Sequence, residues 1–186
     1  MHSQYCRIGA RLGIKNAQKV NIDMKRKLNI VLYSPEIPQN TGNISRTCSV
    51  TGTALHIIKP IGFEISDKTL KRAGLDYWST LEVYYYDSYE EFERQHSGDN
   101  IFYFSAHAKK KYTDVEYEGE VYLMFGKETA GLPKELILAN MDRSVRIPML
   151  ENRRCLNLSN AAAIAAYEVL RRWDFDGMLT EGDVTK

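Results

Sequence analysis

The sequence holds only three cysteines, Cys6, Cys48 and Cys155. An odd and sparse set does not suggest a disulfide framework and points to a reducing cytoplasm. No Cys-x-x-Cys or His-x-x-x-His pair occurs, so metal catalysis has no support and no metal is expected. No apolar run approaches the roughly 18 residues of a membrane span, and the N-terminus lacks the apolar core of a signal peptide. Internal repeats and low-complexity segments are absent. The Walker order Gly-x-x-x-x-Gly-Lys-Ser/Thr and the dinucleotide fingerprint Gly-x-Gly-x-x-Gly are both missing, which removes the main support for nucleotide hydrolysis and NAD binding. Net charge is only +1, so nucleic-acid binding does not follow from overall charge.

That average hides a split. Residues 1–27 carry seven Lys or Arg against one acid, and residues 28–186 carry 18 basic and 23 acidic side chains. Residues 1–27 read as a basic extension, disordered or loosely packed, with Met24 as an alternative start. Residues 28–175 read as one domain and 176–186 as a tail. A chain of 186 residues that is 44% hydrophobic has enough material for one core. Short apolar, β-branched runs predict strands at 28–33, 54–58, 81–86, 100–105, 120–125 and 144–148. Helices are predicted from Asn40 or Thr41 to Val50, over 66–73 with Ser66 as cap, from Ser88 to Gln95, after Pro133, and over 158–173. Lys109–Lys111 forms a loop or short edge element. The alternation predicts an α/β fold, a mostly parallel sheet flanked by helices. His56 lies inside an apolar strand and reads as a packed residue. His107, at a strand end, is a weaker functional candidate.

Three blocks rich in Gly, Asn, Arg and Pro follow strands. In the first, Pro38–Arg46, free N–H groups at a helix start suit an anion, and Asn43 and Arg46 share a face. The second is Phe125–Pro133, where Gly126 permits close backbone approach to a ligand. Glu128 is equally compatible with capping a turn and with chemistry. The third joins Arg146–Met149 to Leu156–Asn160. Its Asn157, Ser159 and Asn160 cluster at a helix start, and Tyr167 lies about two turns after Ser159 on the same side.

Taken in this order, with Arg72–Tyr77 and Gly131-Leu132-Pro133, the blocks resemble the knotted SPOUT superfamily of RNA methyltransferases from Leu28 to Trp173. The nearest subfamily methylates the 2′-hydroxyl of the tRNA wobble cytidine or uridine. The resemblance implies a deep C-terminal trefoil knot and S-adenosyl-L-methionine held mainly by backbone. The cofactor residues it implies are Phe104, Ser105, Gly126, Lys127, Glu128, Ile147, Met149, Cys155, Leu156 and Ser159. Arg154, Tyr167 and Arg46 become catalytic candidates. Asn43, Arg46, Arg153, Arg154, Asn160 and Tyr167 become candidates for binding the tRNA anticodon stem-loop, with leucine tRNAs as the expected substrates. The resemblance also implies a cytoplasmic homodimer. For its interface the sequence offers the stripe Leu158, Ala161, Ala162, Ala165, Val169 and Trp173, which is equally a core face.

Three positions depart from the family pattern. Ala106 and His107 stand where Thr and Lys are frequent, Cys155 replaces Ser, and Arg153 occupies a variable position. A thiol keeps the size of a hydroxyl but weakens its hydrogen bonding. Two other readings remain open: a SPOUT enzyme for another tRNA position or ribosomal RNA, and a non-catalytic RNA-binding module.

Overall fold

The computed structural model describes residues 26–63 and 81–184. The predicted helix at 66–73 and the Arg72–Tyr77 block lie outside these residues, as does nearly all of the basic extension. Seven strands form one sheet: β1 (Lys27–Tyr33), β2 (Ala54–Ile58), β3 (Val83–Tyr86), β4 (Asn100–Phe104), β5 (Lys110–Lys111), β6 (Glu120–Phe125) and β7 (Ser144–Arg146). Their spatial order is β3-β2-β1-β6-β4-β7-β5, and every ladder between them is parallel. Four described helices accompany them: α1 (Pro38–Thr51), α2 (Tyr89–Gln95), α3 (Lys134–Ala139) and α4 (Leu158–Arg172). The expected α/β class and the edge placement of Lys110-Lys111 are therefore what the molecule has.

Parallel sheets need cover on both faces, and the strands show it in their sequence. In β1, Leu28, Ile30 and Leu32 face one core together with Leu55, Ile57, Phe102, Val121 and Leu123. Ile44 and Cys48 of α1 and Ala162, Ala165, Ala166 and Val169 of α4 close that face. Burial pushes the Cys48 thiol pKa up to about 12, so this cysteine is a packing residue. Val31, Tyr103, Tyr122 and Met124 point the other way, onto Phe92 of α2 and Ile137 of α3.

The stripe Leu158, Ala162, Ala165, Val169 and Trp173 is buried in the chain's own core, with Ala161 packed beside it. This corrects its reading as a dimer interface. Small Ala side chains bring the α4 backbone close to the sheet and to α1, so the stripe is used up inside the protomer. Packing continues past the helix: Arg26 Nη1 donates to Trp173 O at 3.2 Å, and Phe175 and Met178 rest against the core.

One polar network crosses the second core. Asn29 Nδ2 donates to Glu120 Oε1 and Val121 O, both at 3.2 Å. Its Oδ1 must then accept from His56 Nε2 at 3.2 Å. The other ring nitrogen, His56 Nδ1, lies 2.8 Å from the Tyr86 hydroxyl. Burial drives the His56 pKa down to about 3, with His96 and Lys27 adding to the shift. His56 is the packed residue its strand predicts, held neutral.

Candidate functional site

The carboxyl ends of β4, β6 and β7 meet the start of α1 around a cavity of about 650 Å³. Open parallel sheets place ligands at this edge. Phe104 and Phe125, stacked with centroids 4.6 Å apart, belong to its apolar lining with Leu132, Ile147 and Leu158. The rest of the wall comes from the loops at 105–107, 126–131, 147–149 and 154–157 and from Ile37 and Asn40.

The 126–131 loop is a closed ring. Gly131 N–H donates to Lys127 O at 2.8 Å, and Gly131 turns with φ +70°. A Cβ on Gly126 would sit 2.0 Å from Gly131 C and 2.1 Å from Leu132 N. The glycine is thus required by the ring's own closure, before any ligand arrives. The sequence reading of close backbone approach to a ligand is silent on this internal contact.

Glu128 fastens the turn that leads into α1. Its carboxylate accepts from Glu36 N at 2.9 Å, Ile37 N at 3.2 Å and Asn40 Nδ2 at 2.9 Å. Ile37, the residue before α1, has no side chain able to cap, and the N–H groups of Glu36 and Ile37 just ahead of the helix find their acceptor in the 126–131 ring. A carboxylate at a helix start is favoured by the helix dipole as well. Glu36 returns the contact, accepting from Thr129 N at 3.2 Å and Thr129 Oγ1 at 2.7 Å. The Thr129 hydroxyl holds the Glu36 carboxyl below the usual carboxylate range.

Asn40 links this pair to the third block. Its Oδ1 accepts from Asn157 Nδ2 at 2.9 Å. Asn157 Oδ1 caps α4, accepting from Ser159 N at 2.9 Å, Ser159 Oγ at 2.7 Å and Asn160 N at 3.4 Å. The three sequence blocks therefore share one chain of hydrogen bonds, Glu128–Asn40–Asn157–Ser159.

Nine of the ten cofactor candidates line the cavity: Phe104, Ser105, Gly126, Lys127, Glu128, Ile147, Met149, Cys155 and Leu156. Ser159 is outside the lining, with its hydroxyl spent on Asn157. His107 and Arg154 also line it. Arg153 is exposed beside Arg154 without reaching the wall, and Asn43, Arg46 and Asn160 are exposed on their helices. Tyr167 is 44% exposed whereas Ser159 is buried, which corrects their placement on one side. Eight residues advance a helix by about 80° beyond two full turns, enough to separate them here. A single chain thus brings Arg154 to the cavity and leaves Arg46 and Tyr167 outside its lining.

Sequence reasoning missed Glu36 and Thr129, and it passed over Asn40 and Asn157 as individual site residues. The sequence carries no signal for them: its pattern starts α1 at Asn40 or Thr41, residues able to cap, whereas the helix begins at Pro38 behind Ile37. Among the described residues no group of three His, Cys, Asp or Glu is placed to hold a metal ion. No described helix is long and apolar enough to cross a membrane. The cavity's size lies within the range of small-molecule sites. Its apolar lining beside a glycine-closed ring suits a ligand with a flat apolar part held by backbone groups.

Comparison with known proteins agrees with this geometry. The model of the SpoU rRNA Methylase family matches residues 27–167. The tRNA (cytidine(34)-2′-O)-methyltransferase of Saccharophagus degradans is 45% identical over 150 residues, covering 80% of this chain and 97% of that protein. A structure solved for insight into 2′-OH methylation of C/U34 on tRNA superposes with TM-score 0.75 at 42% identity, covering 80% of this chain and 97% of that one. An AdoMet-bound rRNA methyltransferase from Sinorhizobium meliloti gives TM-score 0.69 at 26% identity, over 78% of this chain and 56% of that one. These matches are consistent with the knotted SPOUT fold.

Proposed function

The chain belongs to the SpoU methylase family, and from that membership we propose that it methylates the 2′-hydroxyl of the wobble cytidine or uridine of tRNA. The observation that carries the reading is the cavity itself. Nine residues expected from the family pattern converge on it from four separate loops, beside relatives whose named activity is this one.

The lining fits S-adenosyl-L-methionine, which when bound supplies an electrophilic methyl group. Phe104, Phe125, Leu132 and Ile147 exclude water from the cavity, and the 126–131 ring and the 147–149 segment present backbone groups to the adenine. Arg154, at the wall, holds the phosphate beside the target ribose. Its planar fork matches phosphate oxygens in pairs, which a lysine does not. A guanidinium stays protonated, so Arg154 orients the substrate and is not assigned as the base. Positioning of the hydroxyl accounts for a large part of the rate in such reactions.

Arg46 and Tyr167 lie outside the cavity lining of their own chain. In a homodimer they complete a neighbouring copy's substrate site, with Asn43, Arg153 and Asn160 contacting the anticodon stem-loop. Leucine tRNAs in the cytoplasm are the proposed substrates. The test is incubation with methyl-labelled S-adenosylmethionine and tRNA from cells lacking this enzyme, followed by mapping of the label. Label on the ribose of nucleotide 34 of leucine tRNAs is expected. Label at another tRNA position, or label in ribosomal RNA alone when total RNA from the same cells is supplied, overturns the wobble assignment. Cofactor binding with no transfer to any RNA overturns the enzyme reading.

A further inference from the structure

We propose that Glu36, which is not among the residues lining the cavity, is a positioning residue that sets the affinity of the cofactor ring from behind. This rests on the methyltransferase reading of the cavity. The ring at 126–131 is closed at its base between Lys127 and Gly131. Its tip, Thr129 and Ala130, is exposed. Two carboxylates fasten that tip in opposite directions. Glu128 reaches out of the ring to the 36–40 turn. Glu36 reaches back from that turn and takes both donors of Thr129, the N–H at 3.2 Å and the hydroxyl at 2.7 Å. Lys127 Nζ, 3.9 Å from Glu36 Oε1, adds little because that pair is half exposed and screened.

A third loop fixes Glu36 itself. Gly62 N–H donates to Pro35 O at 2.9 Å, and a Cβ on Gly62 would lie 2.8 Å from Glu36 Cα. The Glu36 backbone is therefore backed by the Gly62 turn on one side while its carboxylate holds Thr129 on the other. Thr129 lines the cavity, so the chain Gly62–Glu36–Thr129 transmits the position of an outer loop to the cofactor wall. Loss of the carboxylate leaves the ring tip fastened through Glu128 alone. The ring then orders when the cofactor binds, and that ordering subtracts from affinity.

The experiment measures S-adenosylmethionine affinity by calorimetry and steady-state kinetics for the full chain and its Glu36→Ala, Glu36→Gln, Thr129→Val and Thr129→Ser variants. Hydrogen bonds to a charged acceptor are worth enough that Glu36→Ala weakens cofactor binding about tenfold. KM for the cofactor rises in step, while kcat and KM for tRNA stay within about twofold, the pattern of lost ground-state binding. Glu36→Gln keeps an acceptor oxygen and recovers most of the affinity. Thr129→Ser keeps the hydroxyl and outperforms Thr129→Val. If Glu36→Ala does not fold, the Thr129 pair decides: equal affinities for Ser and Val overturn the proposal. A Glu36→Ala protein with lowered Tm and unchanged cofactor affinity also overturns it, because Glu36 is then structural only. An unaltered chain that binds no S-adenosylmethionine overturns the methyltransferase reading and this proposal with it.

Discussion

Gly126 shows how little room single residues have in this molecule. Even one added carbon meets the backbone of Gly131 and Leu132, and no flexible side chain is there to yield. Gly126→Ala is expected to destabilise the fold by roughly 1–3 kcal/mol and to remove cofactor affinity in the same protein. Urea unfolding and calorimetry check both, and normal stability would show that the ring closes another way. His56 makes a second residue-scale prediction. Its folded pKa, about 3, lies below the unfolded value near 6.5. The unfolded chain therefore binds the extra proton between those values. This contribution to stability is complete above about pH 6.5 and is lost as pH falls towards 3, by about 1.4 kcal/mol per unit. Replacing His56 with Gln should flatten the pH dependence of urea stability between pH 6.5 and 5. An unchanged slope would place the acid sensitivity elsewhere.

Among the elements, the starts of α1 and α4 are held by partners of different origin. Asn157 caps α4 from within its own block and also donates to Asn40. Asn157→Ala should cost roughly 1–2 kcal/mol and weaken cofactor binding. Asn157→Asp keeps the cap acceptor, so it should recover stability while its affinity stays low, because the donor to Asn40 is gone. Equal affinity in the Asp variant and the parent would separate the cap from the cavity. The two helices also mark what was legible in advance. Strands β1, β2 and β6 and the run of α4 follow from apolar patterning, since burial on both faces or one leaves its period in the chain. The turn into α1 does not, because the acceptor for its N–H groups is Glu128, 91 positions from Ile37. Local patterns carry no record of such a partner. The same limit explains the misplaced stripe on α4. Periodicity shows that Leu158, Ala162 and Val169 share a side, and it is silent on whether the sheet or a second chain covers them. The cavity residues were anticipated because the family resemblance implies them, whereas the chain's own pattern offers only Gly-, Asn- and Pro-rich loops after strands. Glu36 was missed because it precedes the first block and its partner, Thr129, lies 93 positions away.

At the scale of the whole molecule, the buried stripe leaves a dimer contact to other surfaces, of which the outer sides of α1 and α4 are the ones to test. Val50 is 63% exposed and Ile164 39% exposed there. Light scattering at low micromolar concentration should give about twice the 21.4 kDa chain mass, and Ile164→Asp should shift it towards one chain with little change in Tm. A fully active monomer would refute both the assembly and the shared substrate site. The sheet order has a consequence for how the chain is made. Strand β1 lies between β2 and β6, and Asn29 meets Glu120 across 91 positions. Contacts that close such long loops are formed late and slow the folding of a domain. During synthesis at roughly 5–20 residues per second, β6 follows β1 by about 5–20 s. Over that interval one edge of Ile30-Val31-Leu32 has no strand to pair with, and an unpaired apolar edge is a template for wrong partners. The nascent first half of this chain is therefore the stretch that most needs shielding at the ribosome.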